Sequence, residues 1–372
     1  MDSGLATLTG GRGSQSIGTV SGFVFKLARQ SAGLTQEKLA EALAADVTTV
    51  QGWESGRRPL AAMGAGAFLR LCARLSRLGA PASTGRHLRE AIEADQVLST
   101  GVSAGSSWID AEVHPLAARV HRQTITNLIT WPFTQQLPRH LCEFVPKIPR
   151  RGPVATYPAL TAEARTRFLD HLLTVAERGN QAGEALLRRQ SVYLLGFDHR
   201  PQTTDWLRDE WKRAGRRPVR DGDIAALLEA RSASVALASV GDRTQLHDFV
   251  GTTFGGRAEI ANLTYWAHWI GELSEEQTTD AFMTSNDTRL WSGASLLRHL
   301  VSRLEPCSPH LPLNLYTLHA LVASRPELLD RGPATRARLA GVLDRLDSSA
   351  ELTRSARTQV AGLLYALRIA RD

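Results

Sequence analysis

The sequence predicts an all-α fold: a small N-terminal helical bundle followed by a larger C-terminal helical bundle or short α-solenoid. Three observations carry this. Apolar residues recur at helical spacing along most of the 372-residue chain. Alternating strand patterns are scarce. Helix-start and helix-stop residues punctuate the periodic stretches. A chain of this length has room for two or three domains with sizeable cores. Its 43% hydrophobic and 22% charged residues are those of a soluble globular protein.

Residues 1–20 are rich in Gly, Ser and Thr, with Arg12 their only basic residue, and are expected to form a mobile tail. Residues 21–80 are expected to fold as one small domain. Phe23, Val24, Leu27 and Ala28 mark its first helix, and Gly33 ends it as a permissive C-terminal residue. Thr35 is a good N-cap for a second helix that buries Leu39, Ala40 and Leu43. Asp46 is expected to cap a third, with Val50 and Trp53 on its inner face, stopped by the Gly56–Pro59 run. A fourth, over residues 66–79, carries Phe68, Leu71, Leu75 and Leu78 on one side. Residues 21–80 hold eight basic and four acidic side chains, so +4 of the chain's +7 falls in 60 residues. A concentrated basic segment suits a polyanionic partner.

The motif Gly33-Leu34-Thr35-Gln36 leading into Leu39-Ala40, then Val50, Trp53-Glu54 and Gly56, resembles the phage repressor and Cro type of helix-turn-helix. This is the xenobiotic-response-element family of transcriptional regulators, and the likeness covers about a sixth of the chain. It implies a bacterial regulator that binds double-stranded DNA. The helix from near Asp46 would enter the major groove, and the helix from near Thr35 would lie across the backbone. Ala40 matches the small residue that lets those helices cross closely. Arg29 and Glu54 match an ion pair tying the first helix to the end of the recognition helix; an ordinary surface salt bridge there would be worth almost nothing. Gln36 matches a glutamine that contacts phosphate and braces a recognition side chain. Val47, Thr48 and Gln51 match positions facing base edges. Val47 and the Thr48 methyl suit thymine methyls, and Gln51 suits adenine among other poses. Thr48 and Thr49 read two ways, as DNA contacts or as helix-start hydroxyls bonding to backbone. Arg57 and Arg58 match the following loop and would neutralise phosphates. Two positions depart from the pattern: Ala44 stands where the family prefers glycine, and Gly52 offers no side chain to a base.

Residues 81–110 are expected to be a linker with one helix near 86–97, and Ser99–Ser107 a flexible stretch. Residues 111–372 are expected to form an all-α region for dimerisation, effector sensing or both. A helix is expected over His114–Trp131, then a Pro-rich break at Val145–Pro158. Periodic stretches follow at 161–177, 181–195, 203–214, 221–239, 243–254, 256–272, 274–284, 287–304, 312–324 and 333–370, the last as two helices. Ser274 with Gln277 forms a capping-box pattern, and Pro333 sits just inside a helix start. No fixed repeat period is evident.

Tyr265, Trp266, His268 and Trp269 fit either an effector pocket or a core helix. His114 and His121 are seven apart and His310 and His319 nine apart, and no Cys-x-x-Cys occurs, so neither a metal nor another cofactor is expected. Cys72, Cys142 and Cys307 are expected to be reduced thiols. No clustered acid, base and nucleophile point to an enzyme. No run approaches the ~18 apolar residues of a membrane span. The N-terminus lacks a basic-then-apolar signal, so a cytoplasmic location is expected.

Together these expectations describe a sequence-specific regulator acting as a homodimer on a pseudo-palindromic operator, with a small-molecule or protein effector at the C-terminal region. The rival is an interaction protein of the antitoxin or plasmid-control type, whose C-terminal helices bind a partner protein.

Overall fold

The computed structural model describes residues 18–145, 155–179, 181–215, 224–252, 256–284, 290–330, 332–349 and 352–370. Among them the chain is helical with no strand, an all-α fold. It divides into two compact units. The first takes in the chain up to Ser106 together with Asn127–His171. The second takes in Ser107–Thr126 and everything from Leu172.

The first unit is built round α1 (Thr19–Ser31), which buries side chains on nearly every side: Val20, Phe23, Val24, Phe25, Leu27 and Ala28. A helix apolar all round belongs in a core. Against it pack α3 (Val47–Glu54) and the long α5 (Thr84–Ala104). α2 (Gln36–Leu43) packs on α3, and α4 (Ala65–Arg77) on α5. Most of α6 (Gln123–Thr134), a 3₁₀ turn at Arg139–Phe144 and the first part of α7 (Ala162–Arg178) complete the unit. Trp131 of α6 is fully buried and meets Phe23 edge-on at 5.1 Å between centroids.

The mobile tail expected over 1–20 lies outside the described residues up to position 17; Thr19 and Val20 are already helical. The segment expected as a linker carries α5, and the flexible stretch expected from Ser99 is helical as far as Ala104. Its Gly101 is there for packing. A Cβ on it would lie 2.5 Å from the Phe168 ring of α7. The apolar stripe of α5, Leu88, Ala91, Ala94 and Leu98, faces the core.

α5 also caps α1. Gly18 precedes α1 with no side chain to offer. Asp95 fills the place, its two carboxylate oxygens each accepting from a backbone N–H, of Val20 and of Ser21, at 2.9 Å. A buried carboxylate at a helix N-terminus satisfies two orphan donors and the helix dipole together.

The second unit holds α8 (Ala185–Leu195), α9 (Pro201–Gly215), α10 (Ile224–Ser239), α11 (Thr244–Thr252), α12 (Gly256–Trp269), α13 (Ala294–Val301), α14 (Leu311–Ser324), α15 (Glu327–Asp330), α16 (Pro333–Asp347) and α17 (Arg354–Ile369). α10 packs on α8, α9 and α11, and α14 on α11, α12, α13 and α17. In a solenoid each unit touches only its neighbours in sequence. Two central helices with several partners each make this a bundle around one continuous apolar core.

One expected helix is absent and another is cut short. Residues 274–279 are irregular, followed by a 3₁₀ turn at Asp280–Thr284. The Leu273, Ser274 and Glu275 carbonyls accept from the Arg122 guanidinium, and the Gln277 carbonyl from the Val120 N–H, so they are not spent on a helix. Residues 118–122 interrupt the helix expected over His114–Trp131. The Gln190 side chain bonds the Arg119 carbonyl and the His121 N–H instead.

Candidate nucleic-acid interface

α2, its turn and α3 are set by local chemistry at three positions. Thr35 caps α2, its hydroxyl accepting from the Lys38 N–H at 3.2 Å. Ala44 ends α2 in the left-handed region, φ 52° and ψ 47°. The N–H groups of Ala44 and Ala45 then return to the Glu41 and Ala40 carbonyls, as at a glycine-terminated helix. Asp46 precedes α3 in an extended conformation but makes no side-chain cap bond. The Thr49 N–H that a cap would use goes to the Asp46 carbonyl at 2.9 Å.

The far end of α3 is fastened to α1. A Cβ on Gly22 would lie 2.4 Å from the Trp53 carbonyl oxygen, so only glycine permits this crossing. Trp53 meets Phe25 edge-on at 5.8 Å. Arg29 and Glu54 form a doubly bonded ion pair, with Arg29 Nη2 3.0 Å from Glu54 Oε2 and Nε bonded to Oε1. The two side chains are 3% and 7% exposed, so this is a buried pair and not a surface salt bridge. Arg29 Nη1 also donates to the Leu34 carbonyl, at 2.7 Å.

Gln36 joins this network to the outer face. Its amide donates to Glu54 Oε2 at 2.6 Å, and its oxygen accepts a long 3.4 Å bond from the Gln51 amide. On α3, Thr48 and Gln51 are exposed and Val47 and Thr49 half-buried. Arg57 and Arg58 are exposed in the loop that follows. Arg58 does not extend into solvent; Nη1 donates to the Thr49 hydroxyl at 2.8 Å, and its stem covers Gly52. A Cβ at Gly52 would lie 3.0 Å from Arg58 Cδ, so this glycine makes room for an arginine. Arg57 Nε donates to the Ser55 hydroxyl at 3.2 Å. A shallow depression of about 710 Å³ opens beside these groups, with Lys26, Gln36, Gln51 and Arg57 among its lining. The structure thus brings Arg29, Gln36, Gln51 and Glu54 into one chain of bonds, and Thr49 with Arg58 into another.

The cap by Asp95 is not legible in the sequence, because an acid that follows Glu90 and Glu93 on the same helix looks like another solvated helix position. In the second unit, Tyr265, Trp266, His268 and Trp269 of α12 are all buried, with Tyr265 and Trp269 stacked at 6.2 Å. His268 Nε2 lies 3.0 Å from the Val120 carbonyl. They form a core helix. Arg231 of α10, only 6% exposed, lies over the Tyr265 and Trp266 rings at 4.5 and 5.5 Å. Burial pushes its guanidinium pKa down. An arginine between Ala230 and Ala233 on an apolar helix is the one signal by which the sequence could have found it.

Comparison with protein-family models, with curated proteins and with solved structures finds no match for the chain.

Proposed function

We propose that the protein is a sequence-specific DNA-binding transcriptional regulator of the phage repressor and Cro type, acting as a dimer on a pseudo-palindromic operator. The observation that carries this is the bonded path Arg29–Glu54–Gln36–Gln51. It holds α3 against α1 by buried charge and ends on an exposed amide at the middle of α3. A reading helix needs such a fixed base, because base contacts discriminate only when the side chain is held in register. Thr48 and Gln51 would face base edges, and Arg57 would meet phosphate. Arg58 would brace Thr49 or turn out to a second phosphate. No helix among the described residues is long and apolar enough to cross a membrane. Pairing through the second unit is supported by an apolar groove of about 550 Å³ on α14 and α17, where Tyr365 and Ile369 are 64% and 58% exposed.

Selection of bound sequences, footprinting and a salt titration test this. Affinity falls steeply with salt, with a log–log slope of about −0.9 per phosphate contact. Arg57→Ala weakens binding across all sequences and shallows that slope by about 1. Gln36→Ala also weakens it broadly. Gln51→Ala costs about 1–3 kcal/mol and relaxes preference at one base pair. An unchanged selection profile for Gln51→Ala would sink the assignment of the reading face. Stable co-purification of a partner protein, with no defined operator, would favour the antitoxin-like interaction protein instead.

A further inference from the structure

Two tetrapeptides of the form His-Leu-x-Glu occur in the chain, at 87–90 and 140–143. The first lies on α5 and the second on the 3₁₀ turn Arg139–Phe144, both within the first unit. At a spacing of three, each histidine shares a helix face with its glutamate. Leu141 and Phe144 are fully buried and pin the turn, and Phe144 meets the His87 ring edge-on at 5.8 Å. The turn brings His140 over His87, with ring centroids 5.0 Å apart.

His87 is 1% exposed, and its Nδ1 lies 2.9 Å from Glu90 Oε2. One donor atom from each of His87, Glu90 and His140 fall within 4.8 Å of one another. Glu143 Oε1 lies 3.9 Å from His87 Nε2. Arg86 Nη2 approaches that nitrogen to 3.4 Å. His140 Nε2 is buried with no hydrogen-bond partner. An orphaned ring nitrogen costs free energy unless something uses its lone pair.

We propose that His87, Glu90 and His140 form a binding site for a divalent transition-metal ion of the zinc type, with the fourth position open to water. Two imidazoles and a carboxylate are a borderline donor set suited to Zn²⁺, and less suited to Mg²⁺ or Ca²⁺, which prefer oxygen. Bonds of about 2.0–2.2 Å place tetrahedral donors about 3.3–3.6 Å apart, so closing the set takes a movement on the order of 1 Å. The ion would tie the turn to α5, which caps and packs on α1, so its binding free energy would add to the stability of the first unit. The site stands independently of whether α3 reads DNA.

The test uses the full chain, stripped with a chelator and titrated with Zn²⁺ by calorimetry and with Co²⁺ by visible absorption. Stoichiometric binding is expected, with Co²⁺ bands of four-coordinate intensity and a Zn²⁺-dependent rise in Tm. His140→Gln and Glu90→Gln each raise Kd by about tenfold or more and abolish the Tm rise, while circular dichroism shows both variants folded. Cys142→Ser, in the same turn but exposed, binds as the parent does. No saturable binding to the parent, binding that survives both ligand substitutions, or loss of binding in Cys142→Ser overturns the proposal. Glu90→Gln keeps a hydrogen-bonding amide beside His87, so the test stands even if His140→Gln fails to fold.

Discussion

Ala44 holds a left-handed conformation that costs an L-residue roughly 1–2 kcal/mol. Its side chain is exposed. Glycine relieves the strain but loses more freedom on folding, about 0.5–1 kcal/mol. Ala44→Gly is therefore expected to raise stability by about 0.5 kcal/mol, read as a higher urea midpoint at unchanged slope. A lowered midpoint would mean that the alanine side chain contributes contacts of its own. At this scale the residue types of the turn were legible and their bonding was only half so. Thr35 caps as its type suggests. Asp46, an equally good type, does not, because the backbone of its own helix start takes the donor. Gly52 looked like a gap in a reading face. It is the floor under the Arg58 stem, which no pattern confined to α3 could reveal.

At the scale of elements, α1 and α3 are held at a single crossing. Gly22→Ala gains about 1 kcal/mol of helix propensity but drives a methyl into the Trp53 carbonyl. Overpacking of this kind costs about 1–3 kcal/mol, and here the obstruction is backbone that cannot rotate away. The variant is expected to melt lower, with α3 displaced. Glu54→Ala leaves the Arg29 guanidinium buried without its carboxylate, which costs about 3–5 kcal/mol. Thermal melts with Gly66→Ala as a comparison site, a helical glycine whose Cβ would meet only the flexible end of Arg70 at 3.4 Å, check both. A Glu54→Ala melt within a degree of the parent would show the pair to be solvated. Element existence was legible wherever apolar periodicity ran unbroken, as in α2, α3, α4, α16 and α17. It failed where small polar residues served packing. Ser99–Ala104 resembles a linker because its Gly101 makes way for Phe168. Residues 274–279 resemble a capped helix, but their carbonyls are claimed by Arg122, more than a hundred residues away.

Across the whole molecule, buried titratable groups set different pH responses in the two units. In the second unit burial pushes His121 down to about 3 and His268 and His310 to about 4. Between pH 6.5 and about 4 the unfolded chain binds protons on these rings that the native state does not, so acid removes stability. At pH 5 the loss is about 2 kcal/mol for each ring. In the first unit His140 acts the same way in the metal-free protein. Asp95 acts in reverse. Its burial outweighs the N–H groups of Ser21 and Val20 and raises it to about 7, against an ordinary 3.8. Within that window the native state holds a proton that the unfolded chain has released, so acid adds stability. Between pH 7 and pH 5, Asp95 and His140 of the first unit therefore oppose each other, whereas His121, His268 and His310 of the second act together, and burial pushes His247 down as well. Amide protection, corrected for intrinsic exchange rates, is therefore expected to fall in α10, α12 and α14 between pH 7 and pH 5 and to change little in α1 and α5. Asp95→Asn removes the opposing term, so α1 and α5 then lose protection in acid as well. Equal losses in all five helices of the parent, or an unchanged acid response in Asp95→Asn, would show that Asp95 stays ionised at the start of α1.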